Sequence, residues 1–536
     1  MSNLLDKSSI LLTPTAYDNG KILSVKPAPG LGSELIANGD FENGSTDWIL
    51  NPSSGTTIVS NGKLNFTNSS SGGTQVSQRD RSYVIGKTYE VTYTVTDYIQ
   101  GDVKLSIGNN LTTSVSANGT FTQYITYASG LNRTYIYTGN STLSIDNISI
   151  KEAIDGDFDF TRNSSATRVN SQGLIEDITS NLPRIDYTGG VGHWLFEPSS
   201  TNLLTYSEDF ATGWTKFYLT LTAESTTSPD GSLTGTKVQI TNDNTAGLLT
   251  NNIAITSGLT YTQTVYAKAG TYGYLHMTGS TGFNSSRYQS YDLVNGVLIN
   301  GSGGIESSIE NVGNGWYRCT YTDVSILSAS GRIVIGVSNN SGRLGGSGLI
   351  SGDNIYLWGA QLEVGSFSTS YIPTTTTQVT RLQDAATGAG SSDLINSTEG
   401  VLYAETSALT YPTTPNNWMT ITDGTAANSV GILFEGNSVV GRIEVGGVTQ
   451  AFISVNIDYS NFIKVAFKYK ENNFSFWVNG VKIGADASGV TFPLNTLNSL
   501  QFTYGAGSNK WTGKTKCLAV FKEALTDAEL TCLTTI

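Results

Sequence analysis

Charge is scarce in this chain of 536 residues. Thirty Lys+Arg and 43 Asp+Glu make up only 14% of it and leave a net charge of −13. No basic stripe is present to release counterions from a phosphate backbone, which excludes nucleic acid as a partner. Histidine is limited to His193 and His276, and cysteine to Cys319, Cys517 and Cys532. A zinc site needs several such ligands at close spacing, and none are clustered here. Three cysteines cannot all pair. Cys319 follows Trp316-Tyr317-Arg318 and Cys517 precedes Leu518-Ala519-Val520, so the thiols are read as reduced, buried small hydrophobes. No run approaches the roughly 20 apolar residues that cross a bilayer, which excludes membrane insertion. Asp6 and Lys7 interrupt the opening residues, so no signal-peptide core is expected and synthesis in a cytosol is.

What is abundant is glycine, with 59 residues, together with threonine, serine, asparagine, tyrosine and valine. Helical periodicity is nearly absent. In residues 87–96, Tyr89, Val91, Tyr93 and Val95 alternate with Glu90, Thr92, Thr94 and Thr96, the period of a half-buried strand. Ile463, Val465, Phe467 and Tyr469 repeat the alternation. Asn479-Gly480 between apolar runs predicts a hairpin, because both residues tolerate the positive φ of a type I′ turn. Short strands with frequent turn signals predict an all-β chain of tandem β-sandwiches.

The sequence also repeats itself. Residues 35–48 read LIANGDFENGSTDW and residues 204–214 read LTYSEDFATGW. Each is followed by Gly-x-Thr-Tyr (Gly86 to Tyr89, Gly258 to Tyr261) and later by Asp-Asn-Ile (Asp146 to Ile148, Asp353 to Ile355). The second copy is longer between the last two strings. Two related modules are expected, over residues 33–152 and 202–373.

The opening Asp-Phe-Glu-x-Gly…Trp and the closing Asp-Asn-Ile resemble the jelly-roll carbohydrate-binding modules attached to polysaccharidases. The resemblance implies a structural Ca²⁺ that ties first strand to last, with Glu42 and Asp146 as ligands and Asp40 beside them. Ca²⁺ takes six to eight oxygen ligands, carbonyls included. Turn and cap hydrogen bonds are the alternative role for these carboxylates. Ala211 stands where Glu42 would align in the second module.

Between the modules, residues 153–201 carry Phe160-Thr161-Arg162, Ala166-Thr167-Arg168-Val169-Asn170, Gly173-Leu174-Ile175-Glu176, then Pro183-Arg184 with Asp186-Tyr187, and Glu197-Pro198 with Thr201-Asn202. Together with Tyr371-Ile372-Pro373, Val379-Thr380-Arg381 and the opening Leu4-Leu5-Asp6-Lys7-Ser8, these strings resemble a recurrent block of bacteriophage virion fibre proteins. The resemblance implies a virion location, residues 1–32 as a segment docking to other virion proteins, a homotrimer, and no catalytic residues. The arginines suit either an interface with neighbouring subunits or a local ion-paired layer.

After a Thr/Gly/Ser-rich linker, 374–398, residues 399–536 resemble a concanavalin-like laminin-G sandwich, through Gly400-Val401-Leu402-Tyr403-Ala404 and Phe476-Trp477-Val478-Asn479-Gly480. It ends on a short helix over 521–530, where Thr526 and Glu529 form a capping box. Ligand binding by edge loops is implied. A hydrolase on this sandwich needs paired carboxylates, and no Glu-x-Asp-x-Glu string occurs; Glu405, Glu435 and Glu444 read as isolated solvent-facing acids. The Gly-rich string 344–348 lacks a following helix and reads as a loop, not a phosphate cradle. Aromatic surface is what could hold sugar. Trp48 and Trp214 occupy repeated positions and are expected in cores, whereas Trp418 and Trp511 are the glycan-binding candidates. The expectation is a non-enzymatic virion fibre or appendage protein adhering to host surface polysaccharide. Its rivals are a purely structural virion protein, a capsule-degrading hydrolase, and a bacterial adhesin, the last weakened by the lack of an export signal.

Overall fold

The alternation of Tyr and Val with Thr builds what it predicts. Tyr89, Val91, Tyr93 and Val95 are buried, and the intervening threonines form a solvent-side ladder. Hydroxyls of Thr88, Thr92 and Thr94 each meet a threonine of the neighbouring strand at 3.0 Å. The computed structural model describes residues 4–27, 30–50, 55–68, 73–85, 87–154, 156–243, 246–302, 306–328, 330–337, 349–409 and 417–536. Gly86 and the Gly-rich string 344–348 lie outside them. Strands make up 54% of the chain and helix 2%. The chain divides into a smaller unit, Lys26–Asp155, and a larger one, Met1–Val25 with Gly156–Ile536.

In the smaller unit two long strands, Thr88–Ile107 and Thr134–Ile154, pair along their length and serve both layers of a sandwich. Register shifts and the positive φ of Gly101 and Asn140 mark where they bend from one layer to the other. Gly101 sits at this bend because, at its positive φ, a Cβ would lie 2.5 Å from the Gly139 carbonyl oxygen and from Ser141 Cα. The first strand, Gly30–Glu34, pairs with the last.

The larger unit holds the second sandwich, two six-stranded sheets around their own core. Two of the three repeated strings perform the same work in both copies. Phe41 packs on Trp48, and Phe210 on Trp214, each with ring centres 5.4 Å apart. Tyr89 Oη accepts the Val84 N–H at 2.7 Å, and Tyr261 Oη accepts the Thr256 N–H at 2.8 Å.

The C-terminal sandwich sets a five-stranded sheet against an eight-stranded one, and three of the latter's strands come from elsewhere in the chain. His193–Phe196 pairs with one end of Gly513–Phe521, with Ile185–Asp186 beyond it, and Ile10–Leu12 pairs with the other end. Of the opening segment expected to dock to other virion proteins, residues up to Val25 belong to the larger unit, and Ile10–Leu12 is a strand of this sheet. Ile10 and Leu12 are fully buried, Leu4 and Leu5 pack against the cluster holding Leu530 and Leu533, and Lys7 meets Glu529 at 2.6 Å. The stretch expected as a linker also folds: Val379–Arg381 and Ala385–Thr387 are paired strands, and Ala386, Ala389 and Ile395 join the core.

The Asn479-Gly480 hairpin forms with both residues at positive φ. The helix runs over Asp527–Thr534, later than expected, because Phe521 still belongs to a strand and Thr526 is the N-cap. Its capping box is closed in both directions. Cys319 and Cys517 are buried and free, as expected. Cys532 is exposed, because Leu530 and Leu533 take the inward face of the helix. Among the described residues, no helix is long and apolar enough to cross a membrane.

An Ile10→Ala substitution is expected to destabilise the larger unit by about 2–5 kcal/mol, the range for emptying a buried aliphatic site. Differential scanning calorimetry checks this; a dispensable tag would leave the transition where it was.

Candidate functional site

Of the three residues assigned to Ca²⁺, Asp40 and Asp146 each face a neighbouring backbone N–H. Asp40 and Glu42 are exposed, and Asp40 Oδ1 is 3.4 Å from the Glu42 N–H. Asp146 Oδ1 accepts the Asn147 N–H at 2.7 Å. Among the described residues no group of three or more His, Cys, Asp or Glu side chains could hold a metal ion. The turn-forming role fits Asp40 and Asp146, and in the second copy Asp209 Oδ1 likewise accepts the Ala211 and Thr212 N–H groups. The tie between first and last strand is made directly by Glu34. Its Oε1 accepts the N–H groups of Leu35, Ile36 and Ile150 at 2.9–3.1 Å, and Oε2 accepts the Ser149 hydroxyl at 2.6 Å.

Trp418 and Trp511 are not surface platforms, because strands and loops distant in sequence cover them. Trp511 is fully buried in the C-terminal core against Phe434. Trp418 is 2% exposed, stacked on Tyr504 at 4.2 Å with Arg442 over its other side. Glu444, expected to face solvent, is buried in the same cluster and bonds Arg442 and Tyr504. Neither indole offers a face to a sugar ring.

Arg162 and Arg184 of the connecting block form an internal layer with Arg381. Arg184 donates to Glu197 at 2.6 Å and to Asp384 at 2.5 Å; Arg381 donates to Glu197 at 2.6 Å; Arg162 donates to Asp384 at 3.1 Å. All five side chains are 0–3% exposed. Ser370 completes the set, with its N–H and hydroxyl both donating to Glu197. Burial alone would raise the Glu197 pKa, but Arg381 and Arg184 hold it at about 2. Asn202 adds an uncharged link, with its amide donating to the carbonyls of Ala360 and Ile372. The fibre-like strings thus supply the joint between the second sandwich and the strands next to Gly513–Phe521.

The smaller unit carries an aromatic face that the sequence reading passed over. In Thr134–Ile154, Tyr135 and Tyr137 flank the fully buried Ile136, so period two turns both rings, each half-buried, to the opposite face. Their centres are 6.0 Å apart, with planes 39° apart. Register places Ser106 opposite Tyr135 and Lys104 opposite Tyr137. Tyr137, Lys104 and Asp102 line a hollow of about 450 Å³, bounded by Gly108, Asn109 and Leu111. Aromatic faces beside a carboxylate, an ammonium and amide groups can hold a pyranose ring by its apolar side and its hydroxyls together. The signal lay in the string Thr-Tyr-Ile-Tyr-Thr.

No family model matches the chain, and no curated protein matches it. Among solved structures, it is similar to the CBM40 of the Ruminococcus gnavus IT-sialidase bound to alpha2,3 sialyllactose (14% identity, 28% of this chain and 93% of that one, TM-score 0.24). It is also similar to the CBM22 tandem of Paenibacillus barcinonensis Xyn10C (10%, 63% and 99%, TM-score 0.21) and to mouse laminin alpha1 domains LG4-5 (9%, 53% and 92%, TM-score 0.18). Likeness at this level carries no site from those proteins to this one.

Two outcomes follow from the geometry. Glu197→Ala leaves two buried arginines without their shared acceptor and is expected to cost about 3–5 kcal/mol. Because the Glu197 pKa is depressed in the fold, its contribution is complete above the ordinary pKa of 4.5 and is lost as pH falls toward about 2. Urea titrations at pH 3 and pH 6 should show that loss in the wild type and a reduced one in Glu197→Gln. Glu34→Ala should lower the melting temperature of the smaller unit, whereas a chelator should leave the wild type unchanged; scanning with and without EGTA reads both.

Proposed function

We propose that this chain is a virion appendage protein that adheres to cell-surface glycans without turning them over. The observation that carries the adhesive part is the hollow lined by Tyr137, Lys104 and Asp102, with the Tyr135 ring next to that of Tyr137. Two tyrosines side by side suit a short run of sugar rings. The energy per ring is modest, so attachment would draw on several copies through effective concentration, and a homotrimer supplies them. Support for the virion location comes from the fibre-like strings at residues 1–30 and 155–385. Because those strings serve internal joints, docking to other virion proteins would use an outer surface of the folded opening segment. Adhesion, not hydrolysis, accords with the absence of a paired-carboxylate string and with Glu444 being tied to Arg442 and Tyr504.

Glycan-array screening followed by titration calorimetry tests the reading. Tyr137→Ala is expected to weaken binding of the best neutral glycan at least tenfold, about 1.4 kcal/mol, with an unchanged melting curve. Binding equal to wild type in that variant, or no retained glycan on the array, overturns the adhesive role.

A further inference from the structure

The larger unit contains a hollow that the adhesive face does not use. It encloses about 590 Å³ among the turn at 170–173, the strands Ser307–Gly313 and Trp316–Val324 of the second sandwich, and Lys514 of the C-terminal sheet. Its carboxylates are largely committed. Glu197 belongs to the buried arginine layer, and Asp186 accepts the N–H groups of Val169 and Thr188 at 2.8 and 2.9 Å. Two of its three cations form no ion pair among the described residues. Arg168 pairs with Glu176 at 2.7 Å, but neither Arg318 nor Lys514 forms an ion pair among the described residues. Arg318 donates to the Thr369 carbonyl and lies 5.7 Å over the Tyr266 ring, and its buried Nε–H has no acceptor. A buried donor without a partner is costly, and a guanidinium is built for a planar, two-oxygen acceptor. In the rest of the lining, Leu195, Val312 and Tyr187 supply apolar wall, and Asn311 and Thr188 supply polar groups.

We propose that this hollow binds a carboxylated saccharide, its carboxylate taken by Arg318 and Lys514. A bare inorganic anion would leave most of the volume unfilled, whereas a uronic acid joined to one further sugar matches it in size and in its mix of hydroxyl and apolar surface. The sugar class rests on the adhesive reading; the negative charge rests on this hollow alone.

Titration calorimetry of the full chain with cellobiouronic acid, cellobiose and inorganic phosphate tests it. The acid should bind at least tenfold more tightly than cellobiose, and the difference should shrink as NaCl rises from 50 to 500 mM. Lys514→Gln and Arg318→Gln should each weaken the acid at least fivefold, and Glu310→Gln, which removes an exposed rim carboxylate, should strengthen it. Equal affinity for acid and cellobiose, affinity indifferent to all three substitutions, or displacement of the acid by equimolar phosphate would overturn the proposal. Arg318→Gln could unfold the site, and the Lys514 and Glu310 variants keep the test decisive in that event. Neutral glycans titrated in parallel read the Tyr135–Tyr137 face, so the two sites fail separately.

Discussion

Three buried guanidinium groups and two buried carboxylates, from positions as distant as Arg162 and Asp384, fix how the larger unit is assembled. An apolar core tolerates sliding by a methyl group or two; this layer does not. Arg184 must reach Glu197, Asp384, Ser370 and the Thr167 carbonyl at once, and each missed bond leaves a charge stranded away from water. Such a network adds little net stability over an apolar packing of equal volume, because desolvation offsets most of the attraction. Its consequence is registry. Only when the connecting block, the exit of the second sandwich and the stretch around Asp384 meet in one arrangement are the charges satisfied together.

That constraint explains which parts of the fold could be read from sequence. Strand alternation at 88–96, the Asn479-Gly480 turn and the Thr526–Glu529 box are set by residues within a few positions, and the structure keeps all of them; the strand at 463–470 forms, but Ala466 and Lys468 on its other face are buried as well. The Asp-Phe and Gly-x-Thr-Tyr repeats were also legible, since each acts within its own turn. What escaped depends on partners hundreds of residues away. Ile10 is covered by the strand at Val520, and Trp511 by Phe434, so a loop-like neighbourhood in sequence said nothing about exposure. The arginine strings showed that charges would pair, but not whether the partner would be another subunit or the same chain.

The candidate site divides along the same line. Tyr135 and Tyr137 obey a local rule, with two rings on one side of a strand and Ile136 on the other, and were accessible to a period-two reading that did not rank tryptophan first. The cation-rich hollow was not accessible, because Arg318 and Lys514 line it from the second and C-terminal sandwiches, far apart in sequence.

The joint and the hollow are also electrically linked. Thr369 and Ser370 are adjacent: the Thr369 carbonyl accepts Arg318 at the hollow, and the Ser370 N–H and hydroxyl donate to Glu197 in the buried layer. Glu363, fully buried, holds the Thr369 N–H from the other side and acts at a distance on Arg318 and Arg381. An anion arriving at Arg318 therefore meets a guanidinium whose position is already set by the layer behind it. Little rearrangement is required, and the ordering cost of binding falls accordingly. The residues that keep the two sandwiches in register thereby preorganise the cation that the hollow presents.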